Sequence, residues 1–200
     1  ERFTTVEINY TFYRMPTPEL AAGWRDQAPD GFTYTLKAPK RITHDRRLLD
    51  CAEAVGRLTE CARVLEEHLA CLLFQLPPNF RADAARLDAF LGQLPTDLRV
   101  AFEFRHESWH AEEVLTVLRN HNAALCIADF GDKTTPLVAT ARHGYFRLRD
   151  EGYQSADLER WAATVGQFAD RWSDAFVYFK HEDEGKGPAF AQEFRGYART

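Results

Sequence analysis

Residues 100–106 read VAFEFRH, an apolar run whose end carries Glu103, Arg105 and His106. Six further runs have the same strand-like character, and polar or charged residues follow most of them. They are VEIN (6–9), FTYTLKAP (32–39), CLLFQLPP (71–78), LCIADF (125–130), YFRLRD (145–150) and FVYFKHED (176–183). Helix-like stretches separate most of these runs, and this alternation predicts a parallel sheet with helical crossovers.

The strand ends favour a barrel over an open sheet. An eight-stranded β/α barrel typically has about 250 residues, and this chain has 200. An open doubly wound sheet would also fit the alternation, but its central strands would be more uniformly apolar than these. We therefore predict one domain over residues 1–200, an α/β fold of the TIM-like (β/α) barrel type with seven strands in this chain.

Capping residues predict where several helices begin. Thr17 followed by Pro18 should open a helix that runs to about Gln27. Asp83 and Ser155 should cap two later helices in the same way. The other predicted helices span about residues 49–68 and 112–121 and start at residues 187–188.

Composition limits the class of protein. A hydrophobic fraction of 45% indicates a folded chain with a core, and a net charge of −5 provides no overall attraction for nucleic acid or anionic lipid. The apolar runs are shorter than the roughly 20 residues of a membrane span, and no signal-peptide pattern opens the chain at Glu1. The four cysteines form no C-x-x-C pair, so we expect free structural thiols and a cytoplasmic, reducing location.

Several blocks of the chain resemble the YecE-like family, also called DUF72. The blocks are VEINYTFYRMP, FTYTLKAPKRITH, LLFQLPPNF, VAFEFRHESW, YFRLR and VYFK, in that order. The resemblance implies a TIM-like barrel without an established activity. It also implies that this chain lacks the family's first strand, which carries a G-x-S-G-W segment. The YFRLRD and FKHEDEGKGP blocks depart from the family pattern, where many members have a histidine and glycine and paired asparagines, respectively.

Strand parity selects the side chains that should face the barrel interior. Residues two apart in a strand share a face, and choosing the polar parity gives a ring at the carboxyl ends of the strands. Its members are Glu7, Asn9, Lys37, Gln75, Glu103, Arg105, Asp129, Arg147 and Lys180. These residues could form a substrate site, or they could be ion pairs that brace the barrel mouth, because buried charges need partners in either case.

The carboxylates of the ring suggest acid–base chemistry. Glu103 is the predicted general acid or base, with Glu7 or Asp129 as its partner. A separation of about 5 Å between Glu7 and Glu103 would suit a retaining glycosidase. The alternative that we favour for Glu7 is an ion pair with Lys37 on the neighbouring strand.

Lys37 and the histidines allow further chemistry. Lys37 could bind an anion, or form a Schiff base if desolvation lowers its pKa. Glu7, Glu103 and Asp129 could instead hold a divalent metal, with nitrogen ligands from histidines near the strand ends. Those histidines are His44, His106 and His181. No H-x-H spacing occurs, and we predict no cofactor while keeping the metal as an alternative.

The loops at the same end should contribute to binding. Lys186, flanked by Gly185 and Gly187 before the last helix, could bind an anion together with Arg147 and Arg149, unless this segment is an ordinary exposed turn. Aromatic side chains predicted to line the loops could stack on a sugar or base. They are Tyr10, Phe12, Tyr13, Trp109 and Tyr153. Thr11 is expected to cap a turn, since no G-x-S-x-G elbow occurs.

Together these features predict an enzyme that uses acid–base chemistry on a small anionic or sugar-like substrate. The anion would be phosphate or carboxylate, held by Lys37, Arg105, Arg147 and Lys180. One alternative is a barrel that binds nucleic acid or a phosphodiester, an analogy to repair nucleases that rests on fold alone. Another is a scaffold without activity. An open barrel would expose strand edges, so pairing with another chain is also considered.

Overall fold

The computed structural model describes residues 3–130, 133–179 and 185–198. Its strands are β1 (Thr5–Ile8), β2 (Thr33–Lys37), β3 (Leu69–Gln75), β4 (Val100–Glu103), β5 (Ala124–Phe130), β6 (Lys133–Thr134), β7 (His143–Leu148) and β8 (Asp174–Phe179). Its α-helices are α1 (Tyr10–Tyr13), α2 (Pro18–Gln27), α3 (Ala52–Arg63), α4 (Ala84–Leu91), α5 (Glu112–Asn120), α6 (Ser155–Gly166) and α7 (Lys186–Tyr197). A π-helical turn (Arg41–Asp45) follows β2.

Seven parallel strands form a nearly closed barrel in the order β1-β2-β3-β4-β5-β7-β8, with helices between them. The short β6 pairs antiparallel with the end of β5. The hydroxyl of Tyr178 in β8 lies 2.9 Å from the hydroxyl of Thr5 in β1, so the last strand reaches the first across the interior. The fold is therefore the predicted TIM-like α/β barrel and not an open sheet. The predicted absence of the family's first strand remains a prediction.

Alternate residues of the strands pack either outward against the helices or inward in the barrel. Leu36, Phe74 and Phe102 point outward and pack with helix residues such as Leu58 and Phe90. The barrel interior contains the smaller or polar-tipped side chains of the other parity. It is built from Cys71, Leu73, Ala101, Cys126, Ala128, Tyr145 and Phe176. This alternation carries the inward-facing side chains up to the carboxyl ends of the strands, where the charged residues lie.

All four cysteines are free and buried, in agreement with the prediction of structural thiols. Burial raises the pKa of each thiol. In the described part of the chain, no helix is both long and apolar enough to cross a bilayer.

Candidate functional site at the barrel mouth

Arg147 is the centre of a buried ion-pair network at the carboxyl ends of the strands. Its guanidinium donates from Nη2 to Glu7 Oε1 at 2.8 Å and from Nη1 to Glu103 Oε2. Burial alone would lower the pKa of Arg147, but the two carboxylates outweigh it and raise the pKa above the ordinary value. The network thus links β1, β4 and β7 through one permanently charged side chain.

Glu103 is completely buried and has donors on both carboxylate oxygens. Oε1 accepts from Gln75 Nε2 at 2.9 Å, and Oε2 accepts from Arg147 and, at 3.4 Å, from Arg149 Nη2. Burial raises its pKa, but the charges of Arg147 and Arg149 and the hydrogen bonds prevail and lower the pKa below the ordinary value. Glu103 therefore stays ionised near neutral pH, which does not suit a general acid, whereas its role as a general base stays a prediction.

Glu7 pairs with Arg147 and not with Lys37. Its Oε2 accepts from the hydroxyl of Tyr145 at 2.6 Å, and its Oε1 accepts from Arg147. The register of β1 with β2 places Glu7 beside Thr35, so the predicted Glu7–Lys37 pair does not form among the described residues. Because the pKa of Glu103 is lowered, this carboxylate does not suit the proton-donor role that a glycosidase acid needs.

Asp129 does not belong to the inward-facing ring. It is one residue out of phase with Cys126 and Ala128, which lie in the barrel interior. Its Oδ1 accepts from the backbone N–H of Arg149 at 2.6 Å, and its Oδ2 accepts from the hydroxyl of Tyr153. The carboxylate therefore fixes the chain after β7, and the prediction that Asp129 is a catalytic partner of Glu103 is wrong.

Lys37 differs from Arg147, which is also a buried cation of the ring. Only 9% of this residue is exposed at the end of β2, and its Nζ lies 4.3 Å from the centre of the Phe12 ring. Within the described residues, Nζ makes neither a hydrogen bond nor an ion pair. Its pKa is lowered to about 8, mainly by burial and then by the charge of Arg147, whereas the charges of Glu7 and Glu103 raise it.

The backbone and the side chain of Lys37 are held by residues on both sides. Thr11 Oγ1 donates to the carbonyl of Lys37 at 2.6 Å. The ring of Phe12 packs edge-on against His44, with 5.0 Å between ring centres. Burial and the charges of Lys37 and Arg105 lower the pKa of His44, so this histidine is neutral near pH 7.

The remaining predicted binding residues are spread between the rim and the core. Asn9 and Arg105 are exposed at the ends of β1 and β4, and Tyr13 is 81% exposed on α1. Trp109, by contrast, is fully buried, stacks on Phe104 and donates from Nε1 to the carbonyl of Phe80 at 2.6 Å. The prediction that Trp109 binds substrate is therefore wrong.

Among the other predicted loop aromatics, Tyr10 is exposed and Tyr153 is buried against Asp129. Tyr153 therefore braces the mouth and is not available for stacking on a ligand.

The predicted anion site before the last helix is only partly described. Lys186 is the exposed first residue of α7, and Gly185 before it has a positive φ of 67°. Lys180 and His181 lie outside the described residues. The anion site at Lys186 thus stays a prediction.

The described residues contain no group of three or more His, Cys, Asp or Glu side chains that could hold a metal ion. Glu7 and Glu103 lie around Arg147, whose charge opposes a cation there, and Asp129 faces away from them. The structure thus offers no support for the alternative of a carboxylate metal site.

Two cavities lie outside the ring of charged residues. One of about 290 Å³ lies beside the mouth, between α1, the π-helical turn and α3. Its lining includes Phe12, Tyr13, Lys40, Arg41, Arg46 and Arg57, together with Asp45, Asp50 and Glu53. The other, of about 540 Å³, lies among the loops that precede β5, β7 and β8, at the opposite end from Lys37.

Sequence reasoning missed the tyrosines of the interior and the surroundings of Lys37. Tyr145 and Tyr178 place hydroxyls inside the barrel, and Tyr145 binds Glu7 directly. Their signal was available, because Tyr145 shares the parity of Arg147. The contact of Phe12 with Lys37 had no such signal, since it depends on how α1 folds over the end of β2.

Comparisons with known proteins agree with this architecture. A family model described as "Protein of unknown function DUF72" matches residues 1–200. The UPF0759 protein YecE of Escherichia coli K12 is 32% identical over 111 residues, which are 55% of this chain and 41% of that protein. The UPF0759 protein YunF of Bacillus subtilis is 22% identical over an alignment that covers 92% of this chain and 79% of that protein.

Solved structures show the same fold. A DUF72 family protein of Enterococcus faecalis superposes with a TM-score of 0.86 at 18% identity, covering 98% of this chain and 85% of that one. A DUF72 family protein of Thermotoga maritima superposes with a TM-score of 0.83 at 24% identity, covering 99% and 85%. At these identities the likeness concerns the barrel and not the chemistry.

Proposed function

This chain belongs to the DUF72 family, and we propose that it is an enzyme that binds a small anionic substrate at the barrel mouth and uses Lys37 for proton transfer. The anion would carry phosphate or carboxylate. The observation that supports the proposal is the buried ammonium of Lys37, which has no carboxylate or hydrogen-bond partner in the described residues and a pKa lowered to about 8. A group with such a pKa changes protonation near physiological pH, as an acid–base catalyst must.

The charge balance of the mouth suits an anion. Among the described strand-end residues of the predicted site, four are cationic and three are carboxylates, and both Glu7 and Glu103 are already bound by Arg147. The cations are Lys37, Arg105, Arg147 and Arg149, and the carboxylates are Glu7, Glu103 and Asp129. In this proposal Arg147 and the glutamates keep the mouth rigid, while the positive charge of Lys37 meets the substrate.

A ligand screen tests the proposal. Thermal unfolding is followed with phosphorylated and carboxylated metabolites at low and high salt, because a ligand at 100 times its Kd adds about 2.7 kcal/mol of stability. A small anion should stabilise the wild type, and Lys37→Met should abolish the shift. Lys40→Met is the control, since Lys40 is exposed and faces Asp45 at 3.6 Å. No shift from any anion, or equal loss in both variants, would overturn the proposal.

A second candidate is binding of a nucleic acid or another phosphodiester beside the mouth. It is favoured by the 290 Å³ cavity, whose lining combines the exposed ring of Tyr13 with basic side chains such as Lys40, Arg41 and Arg57. Affinity for an oligonucleotide should then fall steeply with salt and should depend on Arg41 and Arg57 but not on Lys37. If neither anions nor oligonucleotides bind, the mouth is a structural network and the chain a scaffold.

A further inference from the structure

We infer that Lys37 is a nucleophilic amine that forms an imine with the aldehyde or ketone carbonyl of a small anionic substrate. This inference rests on the proposed function, since it uses the same mouth. The inference gives Lys37 a covalent step in place of simple proton transfer. It also limits the substrate to carbonyl compounds that carry phosphate or carboxylate.

The placement of Lys37 suits a nucleophile better than a structural cation. The residue ends a barrel strand, with its backbone carbonyl held by Thr11 Oγ1 at 2.6 Å. Its side chain is buried, and Nζ lies over the apolar face of Phe12 at 4.3 Å and not on a carboxylate. The ring attracts the ammonium less strongly than a buried carboxylate would, and it donates no hydrogen bond to the nitrogen, so the lone pair is available once the proton has left.

The groups around Lys37 explain why that proton is weakly held. Arg147, in β7, and Arg149, just after it, repel a charged amine at Lys37. Glu7 on β1 and Glu103 on β4 attract it. Both glutamates already bind Arg147, which weakens their pull. His44, on the π-helical turn, has a lowered pKa and adds no negative charge. The neutral amine of Lys37 therefore becomes common at a pH about two units lower than the pH at which an ordinary lysine loses its proton.

The chemistry of the step balances without any cofactor. The neutral amine attacks the carbonyl carbon, a C–N bond forms, and the π electrons move to oxygen, which takes up a proton to give a carbinolamine. Loss of that oxygen as water gives the imine, so one water leaves for each imine formed. The cations at the rim would hold the anionic group of the substrate while this occurs.

The chain is well suited to a labelling experiment because it contains few lysines. They are Lys37, Lys40, Lys133, Lys180 and Lys186; most of the 25 lysines and arginines of the sequence are arginines. Lys40 is an internal control, since it is exposed, three residues away and close to Asp45.

In the experiment, the full chain is incubated with glyoxylate or pyridoxal 5′-phosphate between pH 6 and 10, the imine is reduced with cyanoborohydride, and peptides are mapped by mass spectrometry. A pKa of about 8 leaves roughly a tenth of an amine neutral at pH 7, against well under a thousandth for an ordinary lysine. Lys37 should therefore be labelled at least about tenfold faster than Lys40 at pH 7, with a rate that levels off above pH 8.

Labelling of Lys37 no faster than Lys40, or a rate that still rises beyond pH 10, would overturn the inference. This result comes from the wild type, so it does not depend on whether a variant folds. Lys37→Arg should form no adduct at this position, and the effect of inorganic phosphate is measured on the wild type. If phosphate still stabilises the protein while Lys37 remains unlabelled, the proposed function stands and the imine fails. If phosphate has no effect and Lys37 is unlabelled, both fail.

Discussion

Arg147 and Lys37 are buried cations at the same end of the barrel, but their surroundings are opposite. Arg147 has a carboxylate on each side of its guanidinium, and Lys37 has an aromatic face. The pKa of Arg147 is raised, and that of Lys37 is lowered to about 8. The first residue therefore stabilises the fold as an ion, whereas the second opposes folding while it is charged.

Removing the charge of Arg147 should destabilise the protein strongly. Arg147→Met leaves Glu7 without its guanidinium partner and Glu103 with the longer 3.4 Å contact to Arg149, and breaking a buried pair in this way costs about 3–5 kcal/mol. Urea unfolding at pH 7 measures the change. The matched control is Arg119→Met, whose pair with Glu112 is largely exposed and worth about 0–1 kcal/mol. Equal effects of the two variants would show that the network contributes little.

Lys37→Met should stabilise the protein at neutral pH. The folded-state pKa of about 8 lies below the ordinary 10.5, so the unfolded chain binds more protons between these values and wild-type stability rises with pH there. The variant should be more stable by roughly 3 kcal/mol at pH 7, and its advantage should shrink from pH 8 to 10.5. Urea unfolding across this pH range measures the difference in stability between variant and wild type. Lys40→Met is the control, and its difference from the wild type should not change in this way with pH.

Local signals in the sequence predicted most helix starts correctly. Thr17 accepts from the backbone N–H of Leu20 at 3.3 Å, and Asp83 accepts from that of Arg86 at 3.0 Å. Ser155 is not a cap, because Gln154 and Asp157 form a reciprocal capping box one residue earlier. Capping residues act over one turn, so they can be read without knowing the tertiary structure.

The predicted helix from about residue 49 to 68 was too long, because α3 spans only Ala52–Arg63. Backbone conformation ends it on both sides. Leu48, Asp50 and Glu66 have positive φ angles although none of them is glycine. Residue type alone does not indicate these positive φ angles, because tertiary contacts maintain them, as the complete burial of Leu48 illustrates.

Gly144 in β7 marks a close approach between a strand and the segment after α6. A Cβ at this position would lie 2.6 Å from a ring atom of Trp172. Gly144→Ala should therefore displace that ring and cost about 1–3 kcal/mol. Gly23→Ala is the control, because nothing lies within 4 Å in α2 and alanine should add about 1 kcal/mol of helix stability. Thermal unfolding of both variants should show shifts of opposite sign.

At the scale of the whole barrel, sequence parity identified inward-facing residues but not their partners. Glu7, Gln75, Glu103 and Arg147 do face the interior, as predicted. Their pairing across the barrel depends on strand stagger and closure, which place Glu7 beside Thr35 and opposite Arg147. The failure at Asp129 has a different origin, since its phase relative to Ala128 could be read from the sequence but was not used.

In the described residues, no ladder of backbone hydrogen bonds joins β1 to β8. Closure of the barrel between these two strands therefore depends on side chains. The hydroxyl of Tyr178 in β8 lies 2.9 Å from that of Thr5 in β1 and 2.8 Å from that of Thr35 in β2. The Tyr178 hydroxyl is buried, and burial raises its pKa above the ordinary value. One phenol therefore connects three strands.

Tyr178→Phe should consequently weaken closure while leaving the ring in place. Losing these hydrogen bonds costs about 1–3 kcal/mol, because two threonine hydroxyls lose a buried partner. Hydrogen exchange of the β1 amides should accelerate more than that of the β3 amides, since β3 is paired on both sides. Tyr13→Phe, at an 81% exposed position, should change neither quantity. Uniform acceleration across all strands in Tyr178→Phe would mean that the hydroxyl supports global stability and not closure between β8 and β1.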